Sequence, residues 1–440
     1  MNKELTFREE YFGYLVYDNQ TAWYRLVTDK KIIEAINTMG ESECSKKLVI
    51  NYIENKSINT NNVAVRVLRE VKKNRLSAPL EMYFDYTNDC NLKCPPCYNR
   101  ENLNSQTMSK DSISRIIDEM YQLGIMRLHL AGGEPIYHED LFFHYIDTAR
   151  ENGIVTSMAT NGTLITKDIA EALVEKDLYA VSVSLDGFDE ESNKKIRGCN
   201  NFYTATEGVR NLVNAKERIN SKTDICLKPM FLPDTPIIFF EKMIVMAIDL
   251  GVDKIKFSNP ERSVYHEKGY WAANKNLYYS QMKALGDLKH KYRKNIRIDV
   301  INNPCNHIYT IGIPNQQGCI GGNELLTINP NGDITPCLMH KRILGNYFEA
   351  GSIRHFIEET NTLTEYLDEL KSNITCADCH LLARCRGGCQ VRKVVDYGHL
   401  SLPDPLCPLQ KSGEMGVGTR EYTLVDEILE DDKICVFHSL

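Results

Sequence analysis

From Glu81 onward, short runs rich in β-branched and aromatic residues alternate with longer segments whose apolar residues have helical spacing. The clearest helical segments are Lys110–Leu123 and Lys167–Glu175. Such alternation builds βα units, whose strands form a parallel sheet that binds ligands at the carboxyl ends of its strands. Because six strands are too few for a closed barrel of eight, we predict an α/β fold with a partial (β/α)6 barrel over residues 80–302. The predicted strands are Met82–Tyr86, Arg127–Leu130, Val155–Met158, Ala180–Leu185, Ile225–Met230 and Lys254–Phe257.

A separate domain is predicted over residues 1–75. Two short β-rich segments, Tyr14–Tyr17 and Ala22–Val27, flank the turn signal Asp18-Asn19 and predict a hairpin. Apolar residues at spacings of three and four then predict three helices. The predicted helices are Lys31–Met39, Ser45–Glu54 and Val63–Val71. A hairpin with three helices is a winged-helix pattern.

The charge of the chain argues against a nucleic-acid partner. Its formal net charge is −7 and its pI is about 5.9, whereas phosphate binding needs clustered Lys and Arg. A DNA-binding winged helix stays open as an alternative, because the third predicted helix carries basic residues. They are Arg66, Arg69, Lys72 and Lys73. The N-terminus is charged throughout and no run of about 18 apolar residues occurs, so we expect no membrane partner and a cytoplasmic location.

The 15 cysteines are an odd number, and many have C-x-x-C spacing, which in a reducing compartment indicates metal sites. Cys90, Cys94 and Cys97 lie on one loop directly after the first predicted strand. Three thiolates can bind three irons of a 4Fe–4S cluster and leave the fourth iron open for another ligand. A structural zinc site is the alternative, but zinc usually takes four ligands and no fourth Cys or His lies nearby in the sequence.

A C-x3-C-x2-C loop after the first strand of a βα sheet resembles the radical S-adenosylmethionine (SAM) superfamily. The resemblance implies that the open iron binds SAM and supplies an electron, which cleaves SAM to methionine and a 5′-deoxyadenosyl radical. It also implies that the partial (β/α)6 barrel is a radical SAM barrel. Pro96 departs from the family pattern, since an aromatic residue is common there, so we expect Tyr98 or other side chains to contact the adenine.

Further motifs follow in the family's order and imply the contacts to SAM. A Gly-Gly pair after the second strand lets the backbone approach a ligand closely, and the following glutamate can accept from the SAM ammonium. Two side chains at the end of the fourth strand point to the same side, because strands have period two. An arginine can pair with the SAM carboxylate, although a surface ion pair is its alternative. The implied SAM-binding residues are Gly132, Gly133, Glu134, Thr160, Asn161, Ser184, Asp186 and Arg197.

A second cysteine array lies in residues 303–410, before a tail at 411–440. Its seven cysteines have the order of the SPASM extension found in peptide-modifying radical SAM enzymes. The resemblance implies two auxiliary 4Fe–4S clusters, and hence three clusters in the chain. The implied ligands of the outer cluster are Cys376, Cys379, Cys385 and Cys407. Those of the inner cluster are Cys319, Cys337 and Cys389. Two zinc sites of the C-x-x-C type are the alternative.

Cys305 is the candidate for the last ligand position of the inner cluster. If it binds, the inner cluster is closed and relays electrons; if it does not, an open iron can bind a substrate thiolate. The remaining cysteines lack ligand spacing, and we expect them to be small buried apolar residues. They are Cys44, Cys199, Cys226 and Cys435.

Residues 1–75 resemble the recognition element of maturases that act on ribosomally made, post-translationally modified peptides (RiPPs). The resemblance rests on pattern, length and the Phe7-Arg8-x3-Phe12-Gly13 opening. It implies a precursor peptide whose leader adds a strand to an exposed sheet edge, which raises the local concentration of the core segment at the barrel. An external electron donor such as flavodoxin or ferredoxin is also implied.

Together these resemblances imply an oxidoreductase that abstracts hydrogen from a peptide carbon and closes a carbon–carbon or thioether crosslink. An auxiliary cluster would accept the leftover electron. Formation of formylglycine in a sulfatase is the alternative reaction, because those enzymes share residues 80–410 but are not expected to have the N-terminal domain. A zinc-stabilised peptide-binding or DNA-binding scaffold without catalysis is the alternative from another class.

Overall fold

The chain begins with a four-stranded sheet. The computed structural model describes residues 3–19, 23–54, 63–69, 75–260, 266–301, 318–371, 376, 379 and 382–407. The strands of the first sheet are β1 (Glu4–Glu10), β2 (Gly13–Asp18), β3 (Trp23–Val27) and β4 (Ala64–Leu68), in the order β3-β2-β1-β4. β2 pairs antiparallel with β1 and β3, whereas β4 runs parallel to β1. Helices α1 (Lys30–Thr38) and α2 (Glu43–Glu54) pack against it through apolar side chains such as Phe7, Ile36 and Ile50.

The predicted hairpin and the first two predicted helices are confirmed, but the third predicted helix is wrong. Strand β4 lies inside the segment Val63–Val71. The valines of this segment at 63, 65 and 67 alternate with period two, and β-branched residues favour a strand when a partner strand is available. That partner is β1, which we did not predict. Arg66 therefore lies on a strand, and the recognition helix required by the DNA-binding alternative is not formed over residues 63–69.

A ten-stranded sheet forms the barrel and continues into the C-terminal region. All six predicted barrel strands are present, each beginning within one residue and ending within three residues of its predicted bounds. They are β5 (Glu81–Phe84), β6 (Arg127–Leu130), β7 (Val155–Thr160), β8 (Ala180–Val183), β9 (Asp224–Leu227) and β10 (Lys254–Phe257). The others are β11 (Arg297–Val300), β12 (Leu325–Ile328), β13 (Asp333–Thr335) and β14 (Gly345–Asn346). The strand order is β11-β10-β9-β8-β7-β6-β5-β12-β13-β14.

The strands from β11 to β12 in this order pair in parallel, and only β13 and β14 are antiparallel. Helices α3 to α10 connect the parallel strands. They are α3 (Lys110–Gln122), α4 (Glu139–Glu151), α5 (Lys167–Glu175), α6 (Glu190–Arg197), α7 (Phe202–Ile219), α8 (Ile237–Asp249), α9 (Tyr270–Ala273) and α10 (Lys275–Tyr292). The two helices predicted in the barrel, Lys110–Leu123 and Lys167–Glu175, are confirmed as α3 and α5. α3 begins where the Ser109 hydroxyl accepts from the Ser112 N–H, and α5 begins where the Thr166 hydroxyl accepts from the Ile169 N–H.

The two faces of the curved sheet differ in polarity. Leu128, Leu130 and other alternate residues pack against the helices in the main hydrophobic core. By the period of two, the intervening residues line the inner face. These inner residues include Tyr83, Arg127, His129, Ser157, Ser182, Cys226, Lys254 and Lys256. The barrel interior is therefore polar and carries several cations.

The C-terminal region contains more regular structure than its weak periodicity suggests. Besides β12 to β14, it has α11 (Tyr347–Ala350), α12 (Ile353–Glu359), α13 (Thr362–Lys371), α14 (Leu382–Cys385) and α15 (Gln390–Tyr397). The carboxylate of Asp396 accepts hydrogen bonds from the N–H groups of Trp271 and Ala272, at the start of α9, and so ties α15 to the barrel. None of the helices in the described ranges has the length and apolar character to cross a membrane.

Candidate active site

The loop of Cys90 to Cys97, here called the cysteine loop, follows the carboxyl end of β5. The segment that leads into it is fixed by the next βα connection, because the Gly133 N–H donates to the Thr87 carbonyl over 3.0 Å and the Glu134 N–H donates to the Asp89 carbonyl over 2.7 Å. Within the loop, the Cys97 N–H donates to the Cys94 carbonyl over 3.2 Å. The three thiols are thereby positioned at the carboxyl end of the sheet.

Gly132 and Gly133 are required by this close approach. Gly132 has φ +61°, and a Cβ at Gly133 would lie 2.1 Å from the Asp89 carbonyl oxygen. Any side chain at Gly133 would therefore push away the segment before the cysteine loop. We predicted close approach of this backbone to a ligand; in the structure it approaches the protein's own loop.

Glu134, Thr160 and Asn161 form one hydrogen-bonded group. The Thr160 hydroxyl donates to Glu134 Oε1 over 2.7 Å, and the Asn161 N–H donates to Glu134 Oε2 over 2.7 Å. The Asn161 side-chain amide also donates to Asn91 Oδ1 over 2.8 Å, within the cysteine loop. Burial raises the pKa of Glu134, and the hydrogen bonds from Thr160, Asn161 and Ile136 lower it in part. The carboxylate is thus fixed beside the cysteine loop.

Arg197 reaches the same loop from the end of α6. Its Nε forms an ion pair with Asp186 Oδ2 at 2.6 Å, and its Nη1 donates to Cys94 Sγ at 3.7 Å. Asp186 is 2% and Arg197 13% exposed in their side chains, so the surface ion pair considered as the alternative is instead a buried pair. Asp186 Oδ1 also accepts from the Met230 N–H over 2.7 Å. Ser184 is half-buried, and its N–H donates to the Thr160 carbonyl over 2.9 Å.

The thiols of the cysteine loop lie close enough together to influence one another. Burial raises the pKa of Cys90 to about 11, and the charges of Glu134, Cys94 and Cys97 add to the rise. Burial also raises the pKa of Cys97, which Arg197 and Arg100 lower in part. Since iron binds thiolates, cluster binding to this loop must release protons and becomes more favourable as pH rises.

These residues fit a 4Fe–4S cluster with bound SAM. Three thiols on one loop suit three irons, and a cation beside Cys94 suits a negatively charged cluster. Glu134 uses three acceptor positions of a carboxylate that has about four, so it can accept from an ammonium as well. Cys90, Cys94 and Cys97 would hold the cluster, and Glu134 and Arg197 would face the charged groups of SAM.

The three cysteines expected to bind the inner cluster surround one tyrosine. Burial raises the pKa of Tyr366 well above its ordinary value, and the charges of Cys319, Cys337 and Cys389 raise it further. Burial also raises the pKa of Tyr83 on β5, and Glu81 and Cys337 add to that rise. The three thiols therefore all lie near Tyr366, and Cys337 also lies near Tyr83 on the inner face of β5.

Cysteines expected to bind the outer cluster also lie near one another. Burial raises the pKa of Cys376 to about 11; Lys393 lowers it, and Cys407 and Cys379 raise it. Cys385 is disulfide-bonded in this structure, and cluster binding would require its thiolate instead. Cys305 lies outside the described residues.

Asp404 connects the two groups. Its carboxylate forms a buried pair with Arg392, with Oδ1 3.0 Å from the arginine Nε, and its Oδ2 accepts from the Cys389 N–H over 2.7 Å. The Asp404 carbonyl accepts from the Cys407 N–H over 2.7 Å. One buried aspartate therefore positions a cysteine expected in each auxiliary cluster.

The cysteines without ligand spacing differ from one another. Cys226 is buried, as predicted, but Cys44 is exposed, because it lies on the solvent side of α2. Cys199 is half-buried, and Cys94 and Arg197 influence its pKa, which burial raises. Cys435 lies outside the described residues. The expectation of burial is therefore wrong for Cys44.

The sequence analysis missed two acidic residues at this end of the barrel. Burial raises the pKa of Asp85 to about 7, although its carboxylate accepts from the backbone N–H groups of Ala131 and Gly132. Asp89 Oδ2 lies 2.6 Å from His138 Nε2 and accepts from the Thr107 hydroxyl. An acidic residue at the end of an otherwise apolar strand was the available signal for Asp85.

No group of three or more His, Cys, Asp or Glu side chains in the described residues is arranged around a single metal ion. The ligands of a single ion must converge within about 2.0 to 2.6 Å of it, whereas a cubane distributes its thiolates over separate irons.

Comparisons with known proteins agree with this geometry. Residues 84–230 match the model of the radical SAM superfamily, and this span contains the cysteine loop and Arg197. Mycofactocin maturase MftC of Mycolicibacterium smegmatis is 26% identical over 344 residues, which cover 76% of this chain and 83% of that protein. PqqA peptide cyclase of Bradyrhizobium diazoefficiens is 22% identical over 343 residues, covering 75% and 86%.

The fold is also that of a solved structure. Streptococcus suis SuiB, bound to the precursor peptide SuiA, superposes with a TM-score of 0.69 at 18% identity, covering 92% of this chain and 98% of that one. At this identity the likeness establishes the fold. With the family match over the cysteine loop and its neighbours, it shows that residues 84–230 form a radical SAM domain and that the chain is similar to peptide maturases.

Proposed function

We propose that this enzyme uses SAM to modify a ribosomally made precursor peptide and closes a carbon–carbon or thioether crosslink within it. The observation that carries the proposal is the meeting of three loops at the carboxyl end of the sheet. Hydrogen bonds join Asn91 to Asn161 and Asn161 to Glu134, and Arg197 contacts Cys94. A cluster and a SAM molecule need thiolates, a carboxylate and a guanidinium within such a distance of one another.

In this proposal each side chain has a defined task. Cys90, Cys94 and Cys97 bind the cluster, and Glu134 accepts a hydrogen bond from the SAM ammonium. Asp186 forms an ion pair with the Nε of Arg197. The Nη1 side of the guanidinium is then free to face Cys94 and the SAM carboxylate. When bound, the cluster and SAM supply a 5′-deoxyadenosyl radical that takes a hydrogen atom from a carbon of the peptide.

The substrate class is supported by the relatives. The curated relatives are named a maturase and a peptide cyclase, and SuiB was solved with a precursor peptide. The match to SuiB covers 92% of this chain, whereas the curated relatives cover 75% to 76%. The structural similarity to SuiB, solved with its precursor peptide, therefore covers more of this chain than the sequence similarity to the maturase and the cyclase does.

Residues 1–75 are proposed to bind the leader of the precursor. β1 and β2 each pair on both sides, and Arg66 on β4 contacts α3 by donating to the Tyr121 carbonyl over 2.8 Å. Within the described residues β3 pairs only with β2. The open edge of β3 can accept a further strand, whose backbone would supply affinity and whose side chains would supply specificity.

The cysteines of residues 303–410 are proposed to hold two auxiliary clusters. Convergence of Cys319, Cys337 and Cys389 on Tyr366 supports the inner set, and the mutual influence of Cys376, Cys379 and Cys407 supports part of the outer set. Cys385 and Cys305 complete the two sets in this proposal. A flavodoxin or ferredoxin would supply electrons from outside.

The test is anaerobic co-expression with the precursor peptide, sought as a short open reading frame beside the gene, followed by mass spectrometry of the peptide. A crosslink lowers the peptide mass by two hydrogen atoms, and fragmentation then locates the bonded residues. The control is the variant with Cys90, Cys94 and Cys97 all replaced by Ala, which must leave the peptide unchanged. A peptide that stays unmodified beside an enzyme that cleaves SAM would overturn the crosslinking function.

A further inference from the structure

Tyr366 on α13 has a fixed position in the C-terminal region. Its side chain is fully buried, and its ring packs so closely on Gly322 that a Cβ there would lie 2.4 Å from a ring carbon. The His340 ring meets it edge-on with centroids 5.8 Å apart, and the Arg342 guanidinium lies 5.2 Å from its ring centre. The phenol therefore has little freedom to reorient.

The hydroxyl of Tyr366 is buried and has no hydrogen-bond partner among the described residues. A buried donor without an acceptor costs about 1–3 kcal/mol, so such a group calls for a physical explanation. An acceptor that is present only in the loaded protein is one such explanation.

The surroundings indicate what that acceptor is. A Cβ on Gly321, next to Gly322, would lie 3.6 Å from the sulfur of Cys319, and the His340 N–H donates to the Cys337 carbonyl over 3.0 Å. The loops that carry two of the cysteines therefore also contact the Tyr366 ring. Burial is the main cause that raises the pKa of its hydroxyl, and the charges of Cys319, Cys337 and Cys389 raise it further, so these three sulfurs lie near it. These three are the sulfurs expected to bind the inner cluster.

We propose that the Tyr366 hydroxyl donates a hydrogen bond to a sulfur of the inner auxiliary cluster and raises the reduction potential of that cluster. The proposal rests on the proposed function, because it needs a cluster at Cys319, Cys337 and Cys389. A reduced cluster carries one more negative charge than the oxidised cluster, so a fixed donor stabilises it more. The hydroxyl that is unpaired without the cluster is paired with it.

The test is Tyr366→Phe in the full-length enzyme, reconstituted with iron and sulfide without oxygen and titrated with a reductant while EPR spectra are recorded. The inner cluster of the variant should be about tenfold less reduced at a given potential, which is about 59 mV for one electron. Iron content should stay unchanged. The iron-free variant should be as stable as the iron-free parent or more stable, because an unpaired buried hydroxyl has been removed.

Tyr17→Phe is the matched control. The Tyr17 hydroxyl is also buried without a partner in the described part of the chain, but it lies in the N-terminal sheet beside Tyr24. This variant makes the same chemical change away from the cysteines and should leave every cluster potential unchanged. A fluorinated tyrosine at position 366 keeps the ring and makes a stronger donor, so it should raise the potential of the inner cluster.

The outcomes separate the inference from the function on which it rests. Unchanged inner-cluster potentials in both the Phe and the fluorotyrosine proteins, at full iron content, would overturn the role of Tyr366. A parent enzyme with about four irons and no auxiliary cluster signal would overturn the cluster assignment of the proposed function instead. If the Phe variant loses its inner cluster, the fluorotyrosine protein alone tests the role of Tyr366. The reduction potential of its inner cluster must then rise above that of the parent.

Discussion

The buried carboxylate of Glu134 prepares the carboxyl end of the barrel strands for ligand binding. Glu134 is 1% exposed and accepts from the Thr160 hydroxyl and from the N–H groups of Asn161 and Ile136. These donors favour its ionised form, while burial favours its protonated form and raises its pKa. A carboxylate held in this way is oriented before a ligand arrives, which lowers the entropy cost of binding.

Replacing Glu134 tests this orientation. Glu134→Gln removes the charge and one acceptor oxygen while keeping the volume, so SAM should bind about 10-fold to 100-fold more weakly, which corresponds to about 1.5–3 kcal/mol for a charged hydrogen bond. Equilibrium binding of SAM to the reconstituted enzyme measures the change, with iron content as the check on the cluster. Glu139→Gln, at an exposed residue five positions later, is the control and should bind SAM normally. Equal affinity in both variants would contradict the assignment.

Asp85 gives a prediction about pH. Its pKa is about 7 in the folded enzyme because of burial, against an ordinary value of about 3.9 in the unfolded chain. Ionisation of this group therefore opposes folding, and the loss of stability develops as pH rises from about 4 to about 7. Asp85→Asn removes the charge, so the variant should gain in melting temperature over the parent at about pH 8 and gain least at about pH 5. A difference between the two proteins that does not grow with pH would show that Asp85 does not titrate in this way.

At the scale of single residues, the sequence analysis predicted those site residues that lie in motifs. Glu134, Thr160 and Asn161 are brought together as the order of motifs indicated. The pairing of Asp186 with Arg197 was not predicted, because each was assigned to SAM and contacts across loops leave no trace in spacing. Asp85 belongs to no motif, and only the fold reveals that it is buried.

Among the elements, those in the alternating pattern of the barrel were predicted best. The six barrel strands are short, but they were found because they are β-rich and alternate with longer amphipathic segments such as helix α5. β4 was predicted as part of a helix over Val63–Val71 because its apolar residues fit both the helical period and a period of two, and only its pairing with β1 decides. β12 joins the barrel sheet through β5, a pairing between residues more than 240 positions apart that periodicity cannot indicate.

The cysteine loop is the element whose removal should have the most selective effect. Replacing Cys90, Cys94 and Cys97 together by Ala should remove about four of about twelve irons, because one of three cubanes is lost. SAM cleavage should be abolished, while the auxiliary clusters keep their spectra. Cys44→Ala, at an exposed cysteine on α2, is the control and should change neither iron content nor cleavage. Continued SAM cleavage in the triple variant would exclude this loop as the site.

On the scale of the whole molecule, the N-terminal sheet and the barrel share a core. Leu15, Tyr17 and Tyr24 of the sheet pack with Leu80 and Met126 of the barrel. The Tyr24 hydroxyl donates to the Leu80 carbonyl. Residues 1–75 were predicted as a separate domain because their periodicity differs from that of the barrel, but sequence patterns do not show which surfaces meet. The sheet that is proposed to bind the leader is therefore connected to the barrel through a buried contact.

Arg8 lies at the centre of that contact. It is 3% exposed, its Nε lies 2.7 Å from Glu10 Oε1, and its Nη groups donate to the carbonyls of Ala78, Pro79 and Gly124. Glu10 in turn accepts from the Ser77 N–H and hydroxyl. The Phe7-Arg8 opening noted in the sequence thus contributes the side chain that joins the two parts.

Arg8→Met should therefore weaken the whole molecule and not only the N-terminal sheet. It leaves the Glu10 carboxylate buried and unpaired, which typically costs about 3–5 kcal/mol, so the melting temperature should fall and the segment near Ser77 should become sensitive to proteases. Adding Glu10→Gln removes the unpaired charge and should recover part of the loss, which thermal unfolding of the single and double variants measures. Arg150→Met, at an exposed arginine at the end of α4, is the control and should melt with the parent. If the double variant is no more stable than Arg8→Met alone, the buried charge is not the cause, and the three backbone carbonyls that lose their donor account for the effect.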